Sequence, residues 1–285
     1  MSRKLSLILL LIPQETIDNN IHSDNNETGL QSLHRNRGTV LPYRGEQQMT
    51  SLEKQRVLVV GGSSGIGLAV AEQAAAAGAA VTIASRSADK LAEAARLIGG
   101  GVATAVLDTG DAGSVEAFLA ASGAWDHIVI SAAQTPSGPV RKLSLDDAKR
   151  AMESKFWGAY RIARAAEFAE RGSLTFISGF LSERPSASSV LQGAINAALE
   201  SLARGLALEL SPVRVNAVSP GVIDTPLWSK MDEANRNAMF ERIAGNLPAK
   251  TIGQPSDIAN AVLFLMTTPF ATGSTVRVDG GGAIG

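Results

Sequence analysis

Two amide side chains, Gln192 and Asn196, stand four residues apart in SVLQGAINAALESLA, residues 189–203. Residues at that spacing share a helix face, so the pair can converge on one ligand, donating and accepting hydrogen bonds. Amides do not titrate in the useful range, so the pair cannot work as a proton-exchanging couple. A second stretch, GGSSGIG at 61–67, follows an apolar run and suits an anion. Gly61 permits a tight turn, Gly65 lets the backbone approach a pyrophosphate, and Gly67 lets helix and strand pack closely. Ser63, Ser64 and Ile66 fill the rest of that loop, at the helix N-terminus that faces the anion. A third stretch, FLSERPSASS at 180–189, together with Ser178, gathers Ser182, Glu183, Arg184 and Ser188. Arg184 could polarise an oxygen or bind a carboxylate, and Glu183 could stabilise a cation or move a proton. The alternative for both is an ordinary solvated loop charge.

Composition narrows the chemistry further. The 285 residues are 45% hydrophobic and 19% charged, which suits a large buried core. A net charge of −1 offers no basic field for a nucleic acid or an anionic membrane, so a small-molecule substrate is the expected partner. There are no cysteines and only three histidines, of which His127 alone lies in the body of the chain. Thiolate chemistry, histidine metal clusters and Ser-His-Asp triads are excluded, and no metal is expected.

Residues 1–48 differ from the rest. LSLILLLIP behind Arg3 and Lys4 resembles a signal-peptide core, but it is far shorter than the ~20 residues that span a bilayer. No small-residue cleavage site follows Ile12 and Pro13. Arg44-Gly45-Glu46 can be encoded by a purine-rich, ribosome-binding-like stretch just upstream of Met49. The expectation is a disordered leader or a mis-assigned start over 1–48, a functional domain over 49–285, and a cytoplasmic location. Mass spectrometry of the protein made from its native gene tests this, since an intact Met1 terminus refutes the later start.

From Arg56 onward, apolar β-branched runs alternate with alanine-rich amphipathic segments. The runs are VLVV (57–60), VTIA (81–84), VATAVL (102–107), HIVIS (127–131), LTFIS (174–178), VRVNAVS (213–219) and STVRVD (274–279). Strands apolar throughout are buried on both faces, with helices as right-handed crossovers. This pattern predicts an α/β fold: a single-domain, Rossmann-like, doubly wound parallel sheet of about seven strands.

The spacing G-x-x-x-G-I-G after the first strand resembles the short-chain dehydrogenase/reductase family, and further landmarks occur in order along the body. Asp108, with Thr109 behind it, stands at the family's adenine-binding aspartate. SAAQ (131–134), including Ala132 and Ala133, takes the place of Asn-Asn-Ala-Gly, and NAVSPGVIDT (216–225) matches the family's Pro-Gly segment. The resemblance implies that Pro220, Gly221, Ile223 and Thr225 flank the nicotinamide. It also implies that the end of the second strand reads the cofactor. Ser85 and Arg86 stand there instead of an acid, so NADP(H) is expected over NAD(H), with Arg86 on the 2'-phosphate. A homo-oligomer, dimer or tetramer, is implied by the family alone.

The same alignment places Gln192 at the family's tyrosine, Asn196 at its lysine, Gly179 at its serine and Lys155 at its asparagine. No shift of register restores the pair, because the only tyrosines are Tyr43 and Tyr160 and no lysine occurs between Lys155 and Lys230. Gln192 and Asn196 either face the nicotinamide, with Asn196 on a ribose hydroxyl, or pack as polar residues at a helix start. Lys155 either replaces the lost positive charge or is a solvated or capping lysine. Trp157, Phe180, Trp228, Met231 and Phe240 are expected as an apolar wall and lid, or as core and interface. Three functions are consistent with this: an NADP(H)-dependent reductase of imines or similarly activated acceptors, a non-catalytic NADP(H)-binding sensor or partner subunit, and, least favoured, a carbonyl reductase rebuilt around Arg184 or Glu183.

Overall fold

Every apolar run forms a strand: β1 (Arg56–Val60), β2 (Ala80–Ser85), β3 (Ala103–Val106), β4 (Trp125–Ile130), β5 (Phe168–Ile177), β6 (Arg214–Pro220) and β7 (Thr275–Val278). The computed structural model describes residues 51–285, so the expectation for 1–48 falls outside the described residues. The seven strands pair in parallel in the order β3-β2-β1-β4-β5-β6-β7. Alternate side chains enter opposite cores, which is why the strands read as unbroken apolar runs. Val57 and Val59 join one core, while Leu58 and Val60 join the other. The chain winds outward from β1 to β3 and then crosses to β4 on the far side of β1, so the crevice at the strands' carboxyl ends opens between β1 and β4.

The crossovers are α1 (Gly65–Ala76), α2 (Ala88–Ile98), α3 (Ala112–Ser122), α4 (Leu145–Met152), α5 (Gly158–Ala165), α6 (Val190–Glu209), α7 (Glu233–Asn246) and α8 (Pro255–Thr267). One core is covered through Val70 and Ala74 of α1 and Ile258, Val262 and Leu265 of α8. The other is covered through Val115 and Leu119 of α3, Ile162 of α5, and Leu199 and Leu206 of α6. Ser87, Asp111, Ser144 and Asp232 each accept a hydrogen bond from an amide of the first turn they precede, which sets the starts of α2, α3, α4 and α7. At the other end of α8, the Arg214 guanidinium donates to the carbonyls of Leu265, Met266 (2.6 Å) and Thr268 (3.1 Å), which the helix itself leaves unpaired.

His127 is a core residue. Its Nδ1 lies 2.7 Å from Ser173 Oγ and its Nε2 lies 2.7 Å from Gln55 Oε1. Burial, helped by Arg214, brings its pKa down to about 4, so the ring is neutral. Between α4 and α5 the helix widens into a π-turn, Glu153–Trp157. Such turns insert one residue and re-aim its neighbours. Here they turn Lys155 inward.

Candidate active site

The glycine loop joins β1 to α1 at the crevice. Gly61 has φ of +88° and lies against the end of β4, where a Cβ would be 2.5 Å from Ala132 N. A Cβ on Gly67 would be 2.2 Å from Gly61 O, so helix and turn can meet only without a side chain. Gly65 faces Thr225 of the segment after β6, and a Cβ there would lie 3.4 Å from the threonine side chain. The first turn of α1 has no acid and its N-cap, Ser64, makes no side-chain cap, so its amides are left for an anion. Ser85 Oγ, at the end of β2, is buried without a partner, while Arg86 beside it is exposed. Asp108 is exposed after β3, and its carboxylate accepts from Gly110 N at 3.0 Å. These residues fit a dinucleotide: a Cβ-free cradle, free helix amides, an orphaned hydroxyl and a neighbouring guanidinium.

Deeper in the crevice, Lys155, Ser178, Asn196 and Glu200 form one buried polar network. Lys155 is only 7% exposed, so it is neither the solvated nor the capping lysine that was one expectation. Its Nζ donates to Ser178 O at 2.7 Å and to Asn196 Oδ1 at 2.6 Å. Burial brings its pKa down to about 8, and the Glu200 carboxylate opposes that shift. Glu200 lies one turn beyond Asn196 and is 7% exposed. It accepts from Ser178 Oγ at 2.8 Å and from Ser182 Oγ at 2.7 Å, both on one carboxyl oxygen. Ser178 thus offers its carbonyl to Lys155 and its hydroxyl to Glu200. Sequence reasoning missed Glu200. The available signal was a carboxylate on the buried stripe Ile195, Asn196, Leu199, Glu200, Ala203 and Leu206 of α6, where an unpaired charge would be costly.

Gln192, half-buried, precedes Asn196 by one turn of α6, so both amides stand where their helix enters the crevice. Arg184 instead reaches across to the last residues, donating to Gly282 O at 2.6 Å and to Gly285 O. Glu183 is paired with Arg277. A cavity of about 420 Å³ lies beside these groups, walled by Phe180, Leu181, Val222, Ile243 and Leu247, with Arg184 on its rim. Of the expected apolar wall, Phe180 lines this cavity. Trp228 and Phe240 pack edge to face at 6.2 Å, and Trp228 Nε1 donates to Ile223 O, fixing the approach to α7. Trp157 is not part of the wall: it is 44% exposed and packs on Phe156 and Tyr160.

Residues 60–282 match the family described as enoyl-(acyl carrier protein) reductase. The chain is 34% identical over 253 residues to the short-chain dehydrogenase/reductase ATR9 of Stachybotrys chlorohalonatus, covering 82% of this chain and 98% of that one. It is 31% identical to the D-erythrulose reductase of Gallus gallus, covering 81% of this chain and 96% of that one. Among solved structures it resembles a small-chain dehydrogenase in complex with NADPH, with a TM-score of 0.71, 36% identity, and coverage of 82% of this chain and 100% of the other. It also resembles the MalC reductase/Diels-Alderase of Malbranchea aurantiaca, with a TM-score of 0.76, 25% identity, and coverage of 82% and 98%. With the glycine cradle, the sheet order and these relatives in agreement, the chain belongs to the short-chain dehydrogenase/reductase family of oxidoreductases.

Proposed function

We propose that this protein is an NADP(H)-dependent oxidoreductase with a non-standard active site, reducing an imine or another acceptor activated in advance. The observation that carries this reading is the burial of Lys155 behind Asn196. The ammonium spends its bonds on protein oxygens, so the groups nearest the crevice at this helix start are the amides of Asn196 and Gln192. Neither can surrender a proton at neutral pH. An acceptor that needs no phenol to quench an alkoxide is consistent with such a site.

The cofactor would be held by Gly61, Gly65 and Gly67 with the α1 amides, by Ser85 and Arg86 at the ribose phosphate, and by Asp108 and the Pro220–Thr225 segment. It supplies the hydride. The absence of an acid beside Arg86 and the NADPH complex of one relative support NADP(H). Exposed Trp157 and Tyr160 on α5 and its preceding turn, and Phe264 and Phe270 on and after α8, support a homo-oligomer, dimer or tetramer.

NADPH consumption measured against two panels tests the reading. Imines and other preactivated acceptors should be turned over, and simple ketones and aldehydes only negligibly. Losing one oxyanion donor typically costs about 2.7 to 4 kcal/mol of transition-state stabilisation. Robust ketone turnover abolished by Arg184→Ala would instead establish a rebuilt carbonyl site. Tight NADPH binding without turnover on either panel would establish a sensor or partner subunit.

A further inference from the structure

A lysine ammonium can only donate hydrogen bonds, so its 2.6 Å contact settles which end of the Asn196 carboxamide is which. Oδ1 faces Lys155, and Nδ2 faces the other way. There it meets Gly179: a Cβ built on that glycine would lie 2.8 Å from Asn196 Nδ2, so the amide occupies the room a side chain would need. Asn196 is 2% exposed, yet its Nδ2 donates to no group among the described residues and is not among the sealed, unpartnered atoms. The N–H is therefore buried on most sides, backed by the ammonium that binds the same side chain, and without an acceptor among the described residues. The next residue after the glycine, Phe180, begins the wall of the 420 Å³ cavity.

We infer that the Asn196 Nδ2–H is the hydrogen-bond donor to the acceptor's own oxygen, and that the acceptor is a quinone or a similar vinylogous dicarbonyl and not a preformed iminium cation. The inference rests on the reductase reading above and narrows its acceptor. The amide and the ammonium behind it place positive potential beside Gly179, which repels a cation and favours an atom with a lone pair. Because the amide cannot give up its proton, the adduct must persist as an anion until water reaches it, so it has to be weakly basic. A quinone meets that requirement. Its ring carbon gains hydrogen with both electrons from the dihydronicotinamide C–H bond, the carbon–carbon π pair shifts, and negative charge arrives on the carbonyl oxygen at the Nδ2–H. That anion is an enolate, its charge held by this oxygen and the adjacent ring carbon. Transfer of a proton from the newly reduced ring carbon to the second oxygen gives the hydroquinone anion, which takes one proton from water after release. Lys155 and Glu200 act through Asn196 and Ser178 and are positioning residues.

Para-nitrophenol, a stable anion of the same kind, probes the donor without turnover. Bound to the protein loaded with NADP+, it should ionise at lower pH than in water, read from its absorbance. Asn196→Asp keeps the shape of the side chain and pairs its carboxylate with Lys155, so the variant should melt at or above the temperature of the unmodified protein. It should abolish the ionisation shift and leave NADPH affinity within about twofold, and turnover of naphthoquinone should fall by about 10²-fold or more. An N-methylated cyclic iminium salt should be reduced at least about tenfold more slowly than the quinone. An iminium preferred over the quinone would overturn the inference and leave the reductase reading standing. A nitrophenol shift that depends on Asn196, with no turnover of any acceptor, would retain the donor and its ligand class and remove the reductase reading. Loss of NADPH affinity in Asn196→Asp with the nitrophenol shift intact would assign the amide to the cofactor and also overturn the inference.

Discussion

Lys155 donates from one Nζ to the end of β5 and to α6, so its charge state should be read out in activity. Its pKa of about 8 places the change within an accessible range. Turnover of an acceptor that becomes an anion should fall as pH rises through about 8, because the neutral amine polarises Asn196 less. Glu200 opposes the downward shift, so Glu200→Gln should move that break to lower pH, as a pH–rate profile would show. Arg86 can be tested separately by calorimetry: Arg86→Ala should weaken NADPH binding by about 1 to 3 kcal/mol and hardly change NADH binding. The two residues differ in how legible they were. Arg86 sits in a loop whose role comes from its place after a strand, so its type alone carried the reading. Lys155 lies on a helix, where orientation decides between solvent and core, and the widened turn that sets its orientation has no distinctive residue pattern.

Among the elements, the strands were readable because burial on both faces forces a continuous apolar run, and each predicted run lies in or beside one. β5 is the partial exception. It begins at Phe168, six residues before the run at Leu174, and its early part carries Glu170 and Arg171, with Arg171 at φ of +63°, so it reads as a turn. Trp157 was expected on the substrate wall, in the core or at an interface; it lies on the surface, outside the wall and the core. Two close contacts between elements can be tested by substitution. Gly67→Ala would drive a methyl into Gly61 O, and either the turn or the helix must move, so NADPH binding should be lost before the fold is. Arg214→Met would strip the end of α8 of its donors and should cost about 2 to 3 kcal/mol in chemical denaturation.

For the whole molecule, His127 sets an acid limit. The free side chain takes up a proton near 6.5 and the folded one near 4, so between those values the unfolded chain binds more protons. Stability therefore falls as pH falls through that window, by up to about 3 kcal/mol, and a neutral replacement such as His127→Gln should flatten the decline in a series of melting curves. The π-turn at Glu153–Trp157 has a different consequence, one of chain length. Within it, adjacent residues serve different strands: Ser154 Oγ accepts from Gln134 N after β4 at 2.8 Å, while Lys155 binds the end of β5. Removing Ser154 would let the helix close to its ordinary pitch, keeping α4 and α5 in phase but changing the direction in which Lys155, inside the turn, points. The site's positive charge is thus an insertion as much as a substitution: a relative with lysine here but one residue fewer would carry the same letter and lack the ammonium's place in the crevice.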